Sequence, residues 1–66
     1  MRVTVNGDDR ELDGRVTVAD AVAELTGVHR GVAVALNGEV VPRGRWAETP
    51  LSEGDRVEVL TAAQGG

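Results

Sequence analysis

The sequence predicts an α+β domain, a mixed sheet of four to five strands with one helix packed across one face. Three observations carry that reading. Apolar residues alternate with polar ones near both ends of the chain, the period of a strand buried on one side, and Val32 to Leu36 adds an apolar strand-like run in its middle. Only one stretch, residues 18–26, repeats its apolar residues at helical spacing. Two Asn-Gly pairs, at 6–7 and 37–38, follow strand-like runs where tight hairpins need them. One helix cannot cover both faces of a sheet, so the other face is expected to stay wet.

Val3 and Val5 alternate with Arg2, Thr4 and Asn6, which gives the first strand. After the Asn6-Gly7 turn, Arg10-Glu11-Leu12 is expected as a weak second strand ended by Asp13-Gly14. Thr17 with Asp20 three residues on resembles a capping box with Asp in place of the usual Glu. Behind it Val18, Ala21, Val22 and Leu25 share one helix face, with Glu24 opposite, and Gly27 stands where a left-handed C-terminal cap belongs. Val32 to Leu36 is the next strand, and Asn37-Gly38 turns it into a brief return at Val40-Val41 that Pro42 stops. Arg43 to Pro50 has no clear period and reads as a surface connection with Trp46 inserted. The Ser52-Glu53-Gly54-Asp55 turn leads into the final strand, Arg56 to Thr61, with Val57 and Val59 on one face and Glu58 and Leu60 on the other.

This order, with a right-handed crossover through the helix, is that of the β-grasp or ubiquitin-like fold. That fold places the first and last strands side by side and parallel in the middle of the sheet. The expected core seam is Val3, Val5, Leu12, Val18, Val22, Leu25, Val34, Leu36, Leu51, Val57 and Val59. Residues 1–61 are then the domain and 62–66 a flexible C-terminal diglycine tail, which reaches roughly 16–18 Å when extended.

Composition narrows the function. Sixty-six residues make one small domain near the lower limit for folding without staples. There is no cysteine, hence no disulfide, thiolate nucleophile or cysteine-based metal site, which suits a reducing, cytoplasmic setting. No apolar run approaches membrane-spanning length, and a net charge of -4 speaks against nucleic acid or an anionic membrane as partner. All seven basic residues are arginine, so the chain offers no side-chain amine. His29 stands alone past the helix, and no metal site is expected. No nucleophile–base pair, paired-carboxylate cleft or phosphate loop is evident, so no catalytic residue is assigned.

What remains is the end of the chain, Ala62-Ala63-Gln64-Gly65-Gly66. Two residues without Cβ can lie flat in a narrow slot of the kind where another protein's backbone closes over them. The free α-carboxylate at the tip is ionised at neutral pH. Leu60 is expected on the open face just before the tail, where Ala33, Ala35 and Ala62 would join it in a modest apolar docking patch beside Glu58. Glu48, Glu53, Asp55 and Glu58 crowd the C-terminal third, either as solvated surface or to steer the chain toward a basic partner face. Trp46 is expected to close one end of the core with its N–H on a carbonyl or water, a partner contact being the alternative.

The segment Asn37-Gly38-Glu39-Val40-Val41-Pro42-Arg43-Gly44-Arg45-Trp46, the Leu51 to Glu58 turn and strand, and the Gly65-Gly66 end together resemble the ThiS family, the small β-grasp sulfur carriers of thiamine biosynthesis. The Gly-Asp turn and diglycine end are shared with other carriers of this fold, including the molybdopterin-synthase small subunit. Val-Pro-Arg with Trp close behind is the more discriminating piece.

The resemblance implies that a ThiF-type, E1-like enzyme uses ATP to adenylate the Gly66 carboxylate. A sulfur donor such as a cysteine desulfurase then converts it to a thiocarboxylate, and a ThiG-type thiazole synthase takes the sulfur. Gly65, Gln64 and Ala63 would thread the partner's active site, while Leu60, Ala62 and Glu58 would dock. The chain itself would bind no cofactor and would be a substrate, not an enzyme. Two alternatives remain open. One is a sulfur carrier for molybdopterin or cysteine synthesis; the other is a β-grasp binding module without tail chemistry.

Overall fold

A computed structural model describes residues 1–25 and 31–61. Its elements are β1 (Arg2–Val5), β2 (Asp8–Glu11), α1 (Val18–Leu25), β3 (Val32–Leu36), β4 (Glu39–Val41), a 3-10 helix (Arg43–Glu48) and β5 (Arg56–Thr61). The five strands form one mixed sheet in the order β2-β1-β5-β3-β4. β1 and β5 run parallel, Thr4 opposite Arg56 and Val5 opposite Val57, and every other pair is antiparallel. The last strand therefore lies at the centre of the sheet, as the β-grasp arrangement requires.

Both hairpins turn on asparagine and glycine in left-handed conformation, Asn6 at φ 51° and Gly7 at 86°, Asn37 at 51° and Gly38 at 87°. That is the primed turn whose twist matches the flanking strands, and asparagine is among the few non-glycine residues that tolerate it. The first turn hands the chain straight into β2 at Asp8, two residues before the expected start, and β2 ends at Glu11 instead of Leu12. All four β2 residues are exposed. The turn fixes the register, and an edge strand made of charges has no need of an apolar pattern.

The helix begins at a reciprocal cap. Thr17 N–H donates to Asp20 Oδ2 at 2.9 Å, and Asp20 N–H donates to Thr17 Oγ1 at 3.3 Å. Two of the donors that a helix start leaves orphaned are thereby satisfied. The residues around the cap are tied to the far end of the 3-10 helix: Val18 N–H donates to the Thr49 carbonyl, and Leu51 N–H to that of Val16, both at 2.9 Å. The Gly27 cap and His29 lie outside the described residues.

The segment expected as an irregular connection is ordered differently. Arg43–Glu48 winds into a 3-10 helix, and Trp46 is only 4% exposed. Its indole Nε1 donates to the Val41 carbonyl at 2.9 Å, and Arg43 stacks over the ring at 6.0 Å from its centroid. Trp46 is thus a core residue. It supplies the bulk that a core of valines, with no Phe or Tyr in the chain, otherwise lacks. The core comprises Val3, Val5, Val16, Val18, Ala21, Val22, Val34, Trp46, Leu51, Val57 and Val59. Val16, Ala21 and Trp46 join the expected seam, whereas Leu12 and Leu36 pack against its rim only partly buried. The side chain of Leu25 lies outside what is described.

Candidate functional site

β5 is built so that one set of alternate residues anchors it and the other set is displayed. Its burial alternates strictly from Arg56 to Leu60: Val57 and Val59 are buried under the helix side, Arg56, Glu58 and Leu60 are exposed. The strand is started by a tight turn in which Ser52 N–H donates to Asp55 Oδ2 at 2.7 Å and Gly54 takes φ 85°. Gly54 N–H also donates to the Arg2 carbonyl at 2.7 Å and Thr4 N–H to that of Asp55 at 3.0 Å, stitching the turn to β1.

On the open face the register places Ala33 opposite Leu60, Ala35 opposite Glu58 and Val40 opposite Ala35. These residues, with Asn6 at one side, line a shallow depression that is mostly apolar. Leu60 is 66% exposed and Val40 77%, the two large hydrophobic side chains most open to solvent among the described residues. The expected cluster of Leu60, Glu58, Ala33 and Ala35 is therefore brought together at the end of β5. Ala62, Ala63, Gln64, Gly65 and Gly66 lie outside the described residues. A second depression, lined by Thr4, Gly7, Arg56, Val57 and Glu58, continues the open face toward β1 with polar groups. The face thus divides into an apolar half over β3 and β4 and a charged half over β1 and β2.

Val40 and Asn6 belong to this surface and were not singled out from the sequence. For Val40 a signal existed: a two-residue Asn37-Gly38 turn puts Ala35 and Val40 opposite each other, hence on one face. For Asn6 no local signal existed. Its carboxamide meets β5 only because the strand arrives from the other end of the chain.

Charge on the β1–β2 edge is locally neutralised. The Met1 ammonium donates to Glu11 Oε2 at 3.2 Å and to the Leu12 carbonyl at 2.7 Å, and Arg2 lies 3.5 Å from Glu11 Oε1. The ammonium's hydrogen bond and charge, with a smaller part from Arg2, hold the Glu11 carboxyl below its ordinary range. No group of three or more His, Cys, Asp or Glu among the described residues is placed to hold a metal ion. No helix among them is long and apolar enough to cross a membrane.

Comparison with known proteins adds a likeness in sequence that reaches the end of the chain. The thiazole synthase of Paramagnetospirillum magneticum is 33% identical over 66 residues, and the chain spans only 20% of that protein's length. The sulfur carrier protein ThiS of Thermus thermophilus is 39% identical over 64 residues, 97% of this chain and 98% of the relative. The crystal structure of the thiamine biosynthesis protein ThiS from Geobacter metallireducens superposes with a TM-score of 0.81 at 36% identity, covering 92% of this chain and 93% of that one. The ThiS family model matches residues 3–66, from the first strand through both terminal glycines. With a family match over residues 3–66 and a relative of like length at 39% identity, the chain belongs to the ThiS family.

Proposed function

We propose a working cycle for this sulfur carrier of thiamine biosynthesis in which the α-carboxyl of Gly66 is the group that carries sulfur. The observation that supports it is the family match running through Gly65 and Gly66, which follow the central strand in sequence. A carboxylate is a poor acyl electrophile because its charge is delocalised and repels nucleophiles. Joining one of its oxygens to the α-phosphorus of ATP expels pyrophosphate and gives a mixed anhydride with AMP. A sulfur nucleophile then displaces AMP, one hard step having become two easier ones. With a persulfide as that nucleophile the immediate product is an acyl disulfide, and a second thiol that forms a disulfide with the donor's cysteine sulfur releases the thiocarboxylate at Gly66; the acceptor of its sulfur is a ThiG-type thiazole synthase.

The catalytic groups for adenylation are assigned to an E1-like partner that binds ATP, and the sulfur to a persulfide donor such as a cysteine desulfurase. In this cycle the chain is a substrate handed between enzymes and holds no cofactor of its own. Gly65, Gln64 and Ala63 form the part threaded into each active site, where a Cβ at position 65 would crowd the channel. Leu60, with Glu58 and Ala62, docks on the partner from the open face. A body without cysteine or lysine has no side-chain thiol or amine to capture the activated carboxyl within the same molecule.

Mass spectrometry of protein expressed with its native partners under sulfur-replete conditions tests the cycle. The expected result is a population heavier by one sulfur-for-oxygen exchange, mapped to Gly66. A chain that stays unmodified in the presence of active partners would return it to the class of binding modules without tail chemistry.

A further inference from the structure

Both hairpin turns reach onto β5 with their asparagine side chains, at opposite ends of the strand. The β1–β5 register stops at Val5 opposite Val57 because the chain turns away at Asn6. Asn6 N–H still donates to the Val57 carbonyl at 2.9 Å. Beyond that point its side chain takes over: Val59 N–H donates to Asn6 Oδ1 at 2.8 Å, and Asn6 Nδ2 donates to the Val59 carbonyl at 3.1 Å. A carboxamide carries the same donor and acceptor as a peptide, so Asn6 supplies the rung that β1 lacks. Asn37 grips the start of the strand in the same manner. Its N–H donates to the Arg56 carbonyl at 2.8 Å, Arg56 N–H donates to its Oδ1 at 2.9 Å, and its Nδ2 donates to Asp55 Oδ1 at 3.0 Å.

We propose that Asn6 is a positioning residue for the carrier reaction, its carboxamide fixing the Val59 peptide and so the direction in which the tail leaves β5. This rests on the proposed cycle at Gly66. Val59 stands two residues before the end of β5, and its neighbour Leu60 heads the exposed patch that Asn6 borders. One side chain therefore ties the docking surface and the root of the tail to a single frame. Threading succeeds only when docking and tail direction agree, and a displacement of one ångström at a reacting group costs on the order of a hundredfold in rate. Asn37 is the built-in control, with the same residue type, the same φ of 51° and two side-chain bonds at the far end of the strand.

The test compares Asn6→Gly with Asn37→Gly in the full chain. Glycine adopts the positive φ of both turns, so each variant removes a carboxamide and leaves the turn intact. The readouts are amide hydrogen exchange at Val59 and ATP–pyrophosphate exchange by the purified adenylating enzyme, with the carrier as the varied substrate. Asn6→Gly is expected to speed exchange at Val59 and to lower kcat/KM by about tenfold or more, while Asn37→Gly stays within about twofold of the parent. Asn6→Asp keeps the acceptor for Val59 N–H and loses the donor, so it is expected to fall between the parent and Asn6→Gly. If either glycine variant does not fold, Asn6→Asp against Asn37→Asp makes the same comparison. Equal losses from the two positions, or unchanged protection of Val59 in Asn6→Gly, would overturn the positioning role alone. A parent chain that supports no pyrophosphate exchange would overturn the carrier cycle beneath it.

Discussion

Along β5 the two faces of the sheet are made from alternate residues of one strand, and they are treated in opposite ways. Val57 and Val59 are 1% and 6% exposed, sealed beneath α1 and the 3-10 helix with Trp46, whereas Leu60 on the other face is 66% exposed. The covered face is dense with valine and has no buried charged or polar residue among those described. The open face mixes alanine, Leu60 and Val40 with Glu58, Arg56 and Thr4. Apolar area that stays in water contributes nothing to folding, and a small domain has little to spare. What the contrast teaches is a division of labour: one face holds the body together, and the other leaves Leu60 and Val40 in water.

The sharpest way to break this comparison is at Trp46. Trp46→Ala removes the largest side chain of the covered face and is expected to cost about 3–5 kcal/mol, a large share of the stability of so small a domain. Chemical denaturation followed by circular dichroism measures it. A loss under about 1 kcal/mol would mean that the 3-10 segment is not part of the core.

Leu60→Glu probes the other side. It is expected to weaken activation by the adenylating partner by about 2 kcal/mol, the scale of an interface anchor, while leaving the melting temperature nearly unchanged. A large fall in melting temperature would place Leu60 in the fold and erase the distinction between the faces.

The smallest effect is expected at the charged end of the open face. The folded-state pKa of Glu11 lies below its ordinary value, so its contribution to stability is present above the usual glutamate range and is lost as pH falls through the depressed pKa. In Glu11→Gln that acid-side slope should shrink, with a small loss of stability near neutrality that disappears at low pH. A carboxyl titration followed by NMR that gives Glu11 an ordinary value would remove the basis for the expectation.

Much of the fold was legible because its strongest signals are local. The Asn-Gly turns, the Thr17–Asp20 cap and the alternation from Arg56 to Leu60 each act within a few residues, and each is where the pattern put it. β2 was misplaced because Asp8-Asp9-Arg10-Glu11 has no apolar member; only its pairing with β1 makes it a strand. The 3-10 helix was missed because six residues with one tryptophan show no period. Its winding depends on Pro42 accepting from Arg45 N–H at 2.8 Å and on Trp46 docking against the core. Val16 escaped notice because it precedes the helix cap and joins the core beside pairings with a distant segment, its carbonyl accepting from Leu51 N–H. At the site, Leu60, Glu58 and the two alanines could be read from alternation. The carboxamide of Asn6 could not, since its partner is 53 residues away in sequence.

The central position of β5 also decides how the molecule answers to force. A strand at the edge of a sheet peels away one rung at a time when its end is tugged. β5 pairs with β3 from Val57 to Thr61 and with β1 at Arg56 and Val57, so tension applied at Thr61 along the strand loads these rungs in shear. A pull along β5 from its C-terminal end therefore meets several rungs at once.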